Sequence, residues 1–228
     1  MAERKKFKDL VHGITPAGLF VFPKVNVPDK KFESKFGAFS TGLNLAGQAA
    51  EDFKKQIEET YELEYSAECS AQGKQLKRYD GRPYKQATDR DKAEIPGVTT
   101  FSFKRVAGGE YGEKHARAGE TWGTTVPIFA ARGTDKVTAP VYGGTLGRVS
   151  YTIVPWFTAA LGFGVRLNLE AVKILDLVTA GERSAAQYGF ADEDGYVPEG
   201  AGAQQHGGDS DGEAGLGEAQ GSSTGVEF

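Results

Sequence analysis

Residues 182–228 cannot build a core. The stretch "PEGAGAQQHGGDSDGEAGLGEAQGSS" is rich in glycine, poor in aliphatics and dotted with Asp and Glu. The apolar surface it could bury would not offset the entropy lost on ordering it. A disordered acidic C-terminal tail ending in Phe228 is therefore expected. Residues 1–15 read as a flexible N-terminal segment. Residues 16–181 are left as one domain, long enough for a substantial core.

The formal charge of −4 conceals two opposed parts. Up to Gly181 there are 26 basic and 21 acidic residues; beyond it there are 1 and 10. A body at +5 carrying a tail at −9 points to contact with a polyanion. No apolar run approaches the ~18 residues of a membrane span, so no membrane partner is expected. The opening "MAERKKFKDLVHG" lacks the apolar stretch of a secretory signal. Cys69 is the single cysteine, so an internal disulfide and a cysteine-rich zinc site are excluded.

Within the domain, "AGLFVFPKVNV" reads as a first strand from about Gly18 to Val25, and Pro23 and Pro28 place it at an edge or end it early. One helix stands out, "GQAAEDFKKQIEETYELEYSAECSAQ". Ala49, Phe53, Ile57 and Tyr61 lay an apolar stripe at a spacing of four, Glu51 is set to pair with Lys55, and Gly73 is a stop signal. A mobile polar loop from about Lys74 to Pro96 follows. Then come "GVTTFSFKRVA", "TTVPIFAARG", "TLGRVSYTIVPWF" and "FGVRLNLEAVKILDLV", separated by glycine-rich turns. In the last run Val165, Leu167 and Leu169 alternate with Arg166, Asn168 and Glu170, the period of a strand. The fold class is mostly β with one helix: an OB-fold-like, mainly antiparallel barrel, with a β-sandwich as the alternative.

Catalytic constellations are missing. His12, His115 and His206 are scattered and have no ligand spacing with Cys69. "GGEYGEKH" does not match a phosphate-binding loop, "GFG" lacks the third glycine of a dinucleotide fingerprint, and no Gly-x-Ser-x-Gly elbow occurs. Glu110, Glu113 and Glu120 read as a solvated hairpin face. The expectation is a protein that is not an enzyme and carries neither cofactor nor metal.

What remains is a mixture of cations and rings. "KQLKRYDGRPYKQATDR" sets Lys77, Arg78, Arg82 and Lys85 around Tyr79 and Tyr84. Phe103 and Arg105 follow on a strand, then Tyr111, Lys114 and Trp122 in a hairpin, then Arg132, Arg148 and Trp156. Single-stranded nucleic acid is held by cations along its phosphates and by rings stacked on unpaired bases, at about 1–3 kcal/mol per ring. Alternation puts Val149, Tyr151 and Ile153 inside and Arg148 and Trp156 outside. Phe101 and Phe103 share a face with Arg105, and core packing competes with stacking for both rings.

The acidic tail, the terminal "VEF" and the segment "IFAARGTDKVTAPVYGGTLGRVSYTIVPWFTAALGFGVRLNLEAVKILDLV" together resemble the OB-fold single-stranded DNA-binding proteins encoded by tailed bacteriophages. The resemblance spans about two thirds of the chain. In one departure, the carboxylates here are spread between glycines instead of forming a dense block. The resemblance implies sequence-independent coating of single-stranded DNA in phage replication, recombination and annealing, in the cytoplasm of the infected host. It also implies that the tail contacts polymerase and helicase–primase partners.

A glycine-rich tail of this length spans about 35–40 Å r.m.s., against a radius of gyration of about 16 Å for the body. It can therefore reach any groove on its own domain and compete there with DNA. Once displaced, Val226, Glu227 and Phe228 would be free to dock on a partner. The alternative is a phage structural or assembly β-domain whose tail only aids solubility. The sequence leaves oligomeric state open, a homodimer included.

Overall fold

Five long strands close on one another and build the core of the domain. The computed structural model describes residues 9–31, 35–89, 91–134 and 136–178. The tail and its terminal Val226, Glu227 and Phe228 lie outside the described residues.

Strands β1 (Val11–Ile14), β2 (Gly18–Asp29) and β3 (Ala38–Ala46) precede helix α1 (Gly47–Gln72). After the helix come β4 (Tyr84–Thr88), β5 (Glu94–Val106), the small hairpin β6 (Gly108–Glu110) and β7 (Thr121–Gly123), and β8 (Ile128–Phe129). Strands β9 (Leu146–Thr158) and β10 (Gly162–Asp176) end the domain. The barrel order is β2-β3-β5-β10-β9, and β9 returns to β2 through Gly18↔Gly147 and Leu19↔Leu146. β5 and β10 run parallel, through Leu167↔Phe103 and Asn168↔Lys104, while the other barrel pairs are antiparallel. This is the closed five-stranded path of an OB fold.

Alternation fills the interior. Phe20, Phe39, Leu43, Leu45, Phe101, Phe103, Val149, Tyr151, Ile153, Val165, Leu167 and Leu169 are buried, and their sequence neighbours on the strands face outward. On β10 the phase shifts at a bulge between Leu169 and Ala171, so the inward set resumes at Val172 and Ile174. The bulge also changes β10's partner from β5 to β8, through Val172↔Ile128.

Helix α1 covers one end of the barrel. Phe53 meets Phe101 and Tyr151 at ring distances of 4.7 and 4.9 Å, while Tyr61 and Tyr65 each meet Phe163 edge-on. The buried stripe is Ala50, Phe53, Ile57, Tyr61 and Tyr65, so Ala50 replaces the expected Ala49 in the core. Glu51 pairs with Lys54, and Lys55 with Glu59, instead of Glu51 with Lys55. Gly73 terminates the helix at φ 63°, as expected of a left-handed cap.

Other boundaries also need correction. Residues 11–14, expected to be loose, pair with β9 from Val11↔Ile153 to Ile14↔Ser150, and Thr15 is buried. β3, between the first strand and the helix, was not foreseen. β2 runs past Val25 to Asp29. It accommodates its prolines because the ladder to β3 slips between Val21 and Lys24, where Phe22 takes φ 46°. The supposed loop 74–96 contains β4 and the start of β5, whereas "TTVPIFAARG" yields only the two residues of β8.

Candidate nucleic-acid interface

Because the inward residues of the barrel are apolar apart from Thr41, its outward rows carry the chemistry. One row crosses five strands as Lys24↔Ser40, Ser40↔Lys104, Lys104↔Asn168 and Asn168↔Thr152. A second runs Val21↔Gly42↔Ser102, and a third runs Leu19↔Asn44↔Thr100↔Lys85. Thr100 donates its hydroxyl to Asn44 Oδ1 at 2.6 Å. Arg166 lies two residues before Asn168 on the same side, opposite Val154. Apart from Leu19, Val21 and Val154 the floor is thus small and polar, with Lys24, Lys85, Lys104 and Arg166 spaced over it.

An aromatic shelf stands at the Trp156 end. Trp156 is paired with Gly164, and its ring lies so close across that glycine that an added Cβ would sit 2.6 Å from Cζ2. Tyr79 meets Trp156 edge-on at 5.0 Å. Tyr79 is held there because the segment pairs with the start of β10. Phe163 N–H donates to the Lys77 carbonyl and Tyr79 N–H donates to the Phe163 carbonyl, each at 2.8 Å. Lys77 is exposed beside them.

The same segment turns Arg78 and Arg82 the other way, onto the helix. Arg78 makes a two-pronged contact with Glu62, its Nη1 to Oε1 and its Nη2 to Oε2, and its guanidinium lies 4.0 Å from the Tyr65 ring centre. Arg82 Nε donates to Glu58 Oε1 at 2.8 Å, with its guanidinium 4.2 Å from the Tyr61 ring centre. The hydrogen bond to Arg78 holds the Glu62 carboxyl below its ordinary range, and the same bond raises Arg78. For Arg82, burial opposes the charge, but Glu58 outweighs it and the net shift is upward. Tyr84 donates its hydroxyl to the same Glu58 Oε1 at 2.7 Å; burial, reinforced by Glu58, pushes that hydroxyl up to about 12.

These contacts sort the sequence-derived candidates. Lys77, Tyr79 and Trp156 are brought together on the outer surface, and Lys85 stands apart on β4 opposite Thr100. Arg78, Arg82 and Tyr84 pin the loop to α1, Arg78 staying exposed while it holds Glu62, so the loop is tied down instead of mobile. Arg82, Tyr84 and Lys85 do line an open cleft of about 310 Å³ with Lys54, Asp80, Gln86 and Thr99. Phe103 is 1% exposed and packs in the core near Phe53, which rules out base stacking by this ring. Arg105 is half-buried and donates from Nη1 to Glu170 Oε2 at 3.2 Å and to the Glu170 carbonyl at 3.3 Å. Its backbone is in phase with Phe101 and Phe103 and its guanidinium is engaged by Glu170, whereas Lys104 occupies the outward row.

The β6–β7 hairpin extends from the far end of β5. Tyr111 stacks on His115 at 4.4 Å, and Arg117 lies 4.8 Å from the Tyr111 ring centre. Lys114 is exposed near the hairpin tip, and Trp122 is half-buried over its cross-strand partner Gly109. Arg148 projects outward from β9 like Trp156, but eight residues earlier. That distance is about 25 Å on an extended strand. Arg132 lies in the turn after β8. Arg148 and Arg132 therefore belong to a different part of the surface from the shelf. Arg166 was missed, and Lys104, read in the same run as Phe103 and Arg105, was not singled out, although alternation with buried Val165 and Leu167 and with Phe103 marks both as outward.

In sequence, the single-stranded DNA-binding protein of Escherichia phage T7 is 26% identical over 213 residues, which is 87% of each chain. The chain resembles phage single-stranded DNA-binding proteins. The crystal structure of gp2.5 from bacteriophage T7 superposes with a TM-score of 0.58 at 23% identity, over 83% of this chain and 99% of that one. The single-stranded DNA-binding protein of bacteriophage Enc34, solved with single-stranded DNA, gives 0.54 at 17% identity, over 77% and 94%. At these identities the structural likeness establishes the shared fold. No protein-family model matches the chain.

Proposed function

We propose that this protein binds single-stranded DNA without sequence preference and without catalysis. The observation that carries the reading is the outer surface of the barrel. Lys77, Tyr79 and Trp156 form one edge, and Lys85, Arg166, Lys104 and Lys24 stand over a floor of Ser, Gly, Asn and Thr. Small floor residues let an unpaired strand approach the sheet. The cations follow its phosphates, and the Trp156–Tyr79 shelf offers a flat partner to a base. The long sequence match to the T7 protein supports the same reading.

The finer roles belong to this reading too. Coating of unpaired strands serves replication, recombination and annealing in the cytoplasm of an infected host cell. The folded single-strand-binding domain extends to about residue 181. Residues 182–228, with Val226, Glu227 and Phe228 at the end, compete with DNA and recruit polymerase and helicase–primase. Lys114, Tyr111 and Trp122 on the hairpin extend the contact surface beyond β5.

The deciding experiment is a gel-shift series with single- and double-stranded oligonucleotides at two salt concentrations. Preference for single strands, weakening steeply with salt, is expected. Equal binding to both forms, or binding indifferent to salt, would refute the reading.

A further inference from the structure

A second basic row crosses the outer surface where β10 has passed its bulge. Arg148 is the cross-strand partner of Lys173, Lys173 pairs with Phe129, and Phe129 bridges to Lys136. Paired residues in a sheet share a face, and the inward neighbours Val149, Val172 and Ile128 are buried. The row is therefore outward, about 15 Å wide at ordinary strand spacing. Arg148, Lys173 and Lys136 are exposed, and Phe129 is half-buried between the two lysines. Arg148 Nη1 donates to the Thr15 carbonyl at 3.2 Å, a contact that leaves its charge uncompensated.

Two like charges directly opposite on adjacent strands cost stability. Here Arg148 faces Lys173, and among the described residues neither forms an ion pair with a carboxylate. The arrangement becomes favourable if an anion lies across it. The row is also separate from the Trp156 shelf. Between them on β10 stands Glu170, whose carboxylate accepts from Thr152 at 2.9 Å, from Asn168 at 2.7 Å and from Arg105 at 3.2 Å. The Glu170–Arg105 ion pair and the side chains bonded to it thus separate two basic ends of the β9–β10 ribbon about 25 Å apart.

We propose that Arg148, Lys173, Phe129 and Lys136 form a second contact strip for the phosphate backbone of single-stranded nucleic acid, distinct from the Trp156 shelf. This rests on the single-strand-binding reading and extends it. A short strand occupies the shelf alone, while a longer one also reaches the second strip and so lengthens the occluded site.

The test uses the full chain with the substitutions Lys136→Ala and Lys173→Ala together. Binding is measured to labelled oligothymidylates of about 5 and about 16 nucleotides, within the range one OB fold occupies, from about 50 to about 200 mM salt. Wild-type affinity for the short strand and about tenfold weaker binding of the long one are expected. The slope of log affinity against log salt for the long strand should fall by about 1.4, at about 0.7 per lost phosphate contact. Arg148→Ala, checked by thermal melting because of its Thr15 contact, should reproduce the length-selective loss.

Unchanged long-strand binding, or equal loss at both lengths, would overturn the proposal. So would tighter long-strand binding, which would show that the row holds the chain's own acidic residues. If the wild-type protein binds neither strand, the single-strand reading itself fails along with the strip. If it binds both and the variants match it, the strip alone fails.

Discussion

Replacing Gly164 by Ala tests whether the Trp156 shelf carries binding. A Cβ at this position would lie 2.6 Å from Trp156 Cζ2 and 2.8 Å from Cε2, well inside van der Waals contact. The atoms met belong to a rigid indole, so the ring itself must turn away. That moves it off Tyr79, 5.0 Å distant, and overpacking of this kind costs about 1–3 kcal/mol. A displaced ring loses its stacked base, a similar about 1–3 kcal/mol of binding, so affinity for single strands should fall between about fivefold and a hundredfold.

The decisive assay is a double-mutant cycle with Trp156→Ala, read by polarisation of a labelled oligonucleotide and by chemical denaturation. With the indole gone, nothing opposes the new methyl, so Gly164→Ala should cost little in that background, a coupling of at least 1 kcal/mol by about the same estimate. If Gly164→Ala costs as much without Trp156 as with it, the shelf is not what the glycine serves. If both single variants bind DNA like wild type, the shelf has no part in recognition.

Four further outcomes follow from the same contacts. Phe103→Ala should destabilise the fold by about 3–5 kcal/mol in a denaturant titration, because the ring is 1% exposed; DNA affinity measured on the folded fraction should stay the same. Arg166→Ala should lower the salt slope of single-strand binding by about 0.7 without changing the melting temperature. Removing residues 182–228 should raise affinity for single strands and abolish recruitment of replication partners in a pull-down; unchanged values on both would count against the tail's role. Tyr84 titrates near 12 in the folded protein against about 10 unfolded. The folded state therefore holds the extra proton between those values, and stability should fall as pH rises through that window. Tyr84→Phe should flatten that fall in denaturation curves recorded at several alkaline pH values.

The sequence displays the barrel best where apolar and polar residues alternate without interruption, as at Val149, Tyr151 and Ile153 on β9 or Val165, Leu167 and Leu169 on β10. It hides β3 because Thr41, a polar residue 3% exposed, occupies an inward position between Phe39 and Leu43. The bulge between Leu169 and Ala171 shows only in the change of phase from Leu167 and Leu169 to Val172 and Ile174, with Lys173 outward. Site residues were legible where their phase was. Trp156 and Arg148 were placed outward by alternation, and the structure agrees. Phe103 and Arg105 were misplaced because aromatic and cationic character was weighed ahead of phase, which puts the ring inside and Lys104 outside.

The loop from Lys77 to Lys85 shows why composition alone could not separate contact residues from structural ones. Every cation there satisfies the same compositional rule, yet the fate of each is set by carboxylates far away in sequence. Glu62 is 16 residues before Arg78, and Glu58 is 24 before Arg82. A helical rise of 1.5 Å per residue places these two glutamates one turn apart on one face of α1. That face meets the loop only because Tyr61 and Tyr65 dock the helix against Phe163. The Arg78–Glu62 pair is exposed and adds little stability by itself, and the Arg82–Glu58 pair is partly buried. Their consequence is positional. By drawing Arg78 and Arg82 to the helix they fix the backbone between them, and the alternate side chains Lys77 and Tyr79 are left facing the shelf. Glu62→Ala should therefore weaken single-strand binding although a carboxylate is being removed, the opposite of what charge alone dictates. An affinity gain in that variant would show that the loop positions itself without the helix.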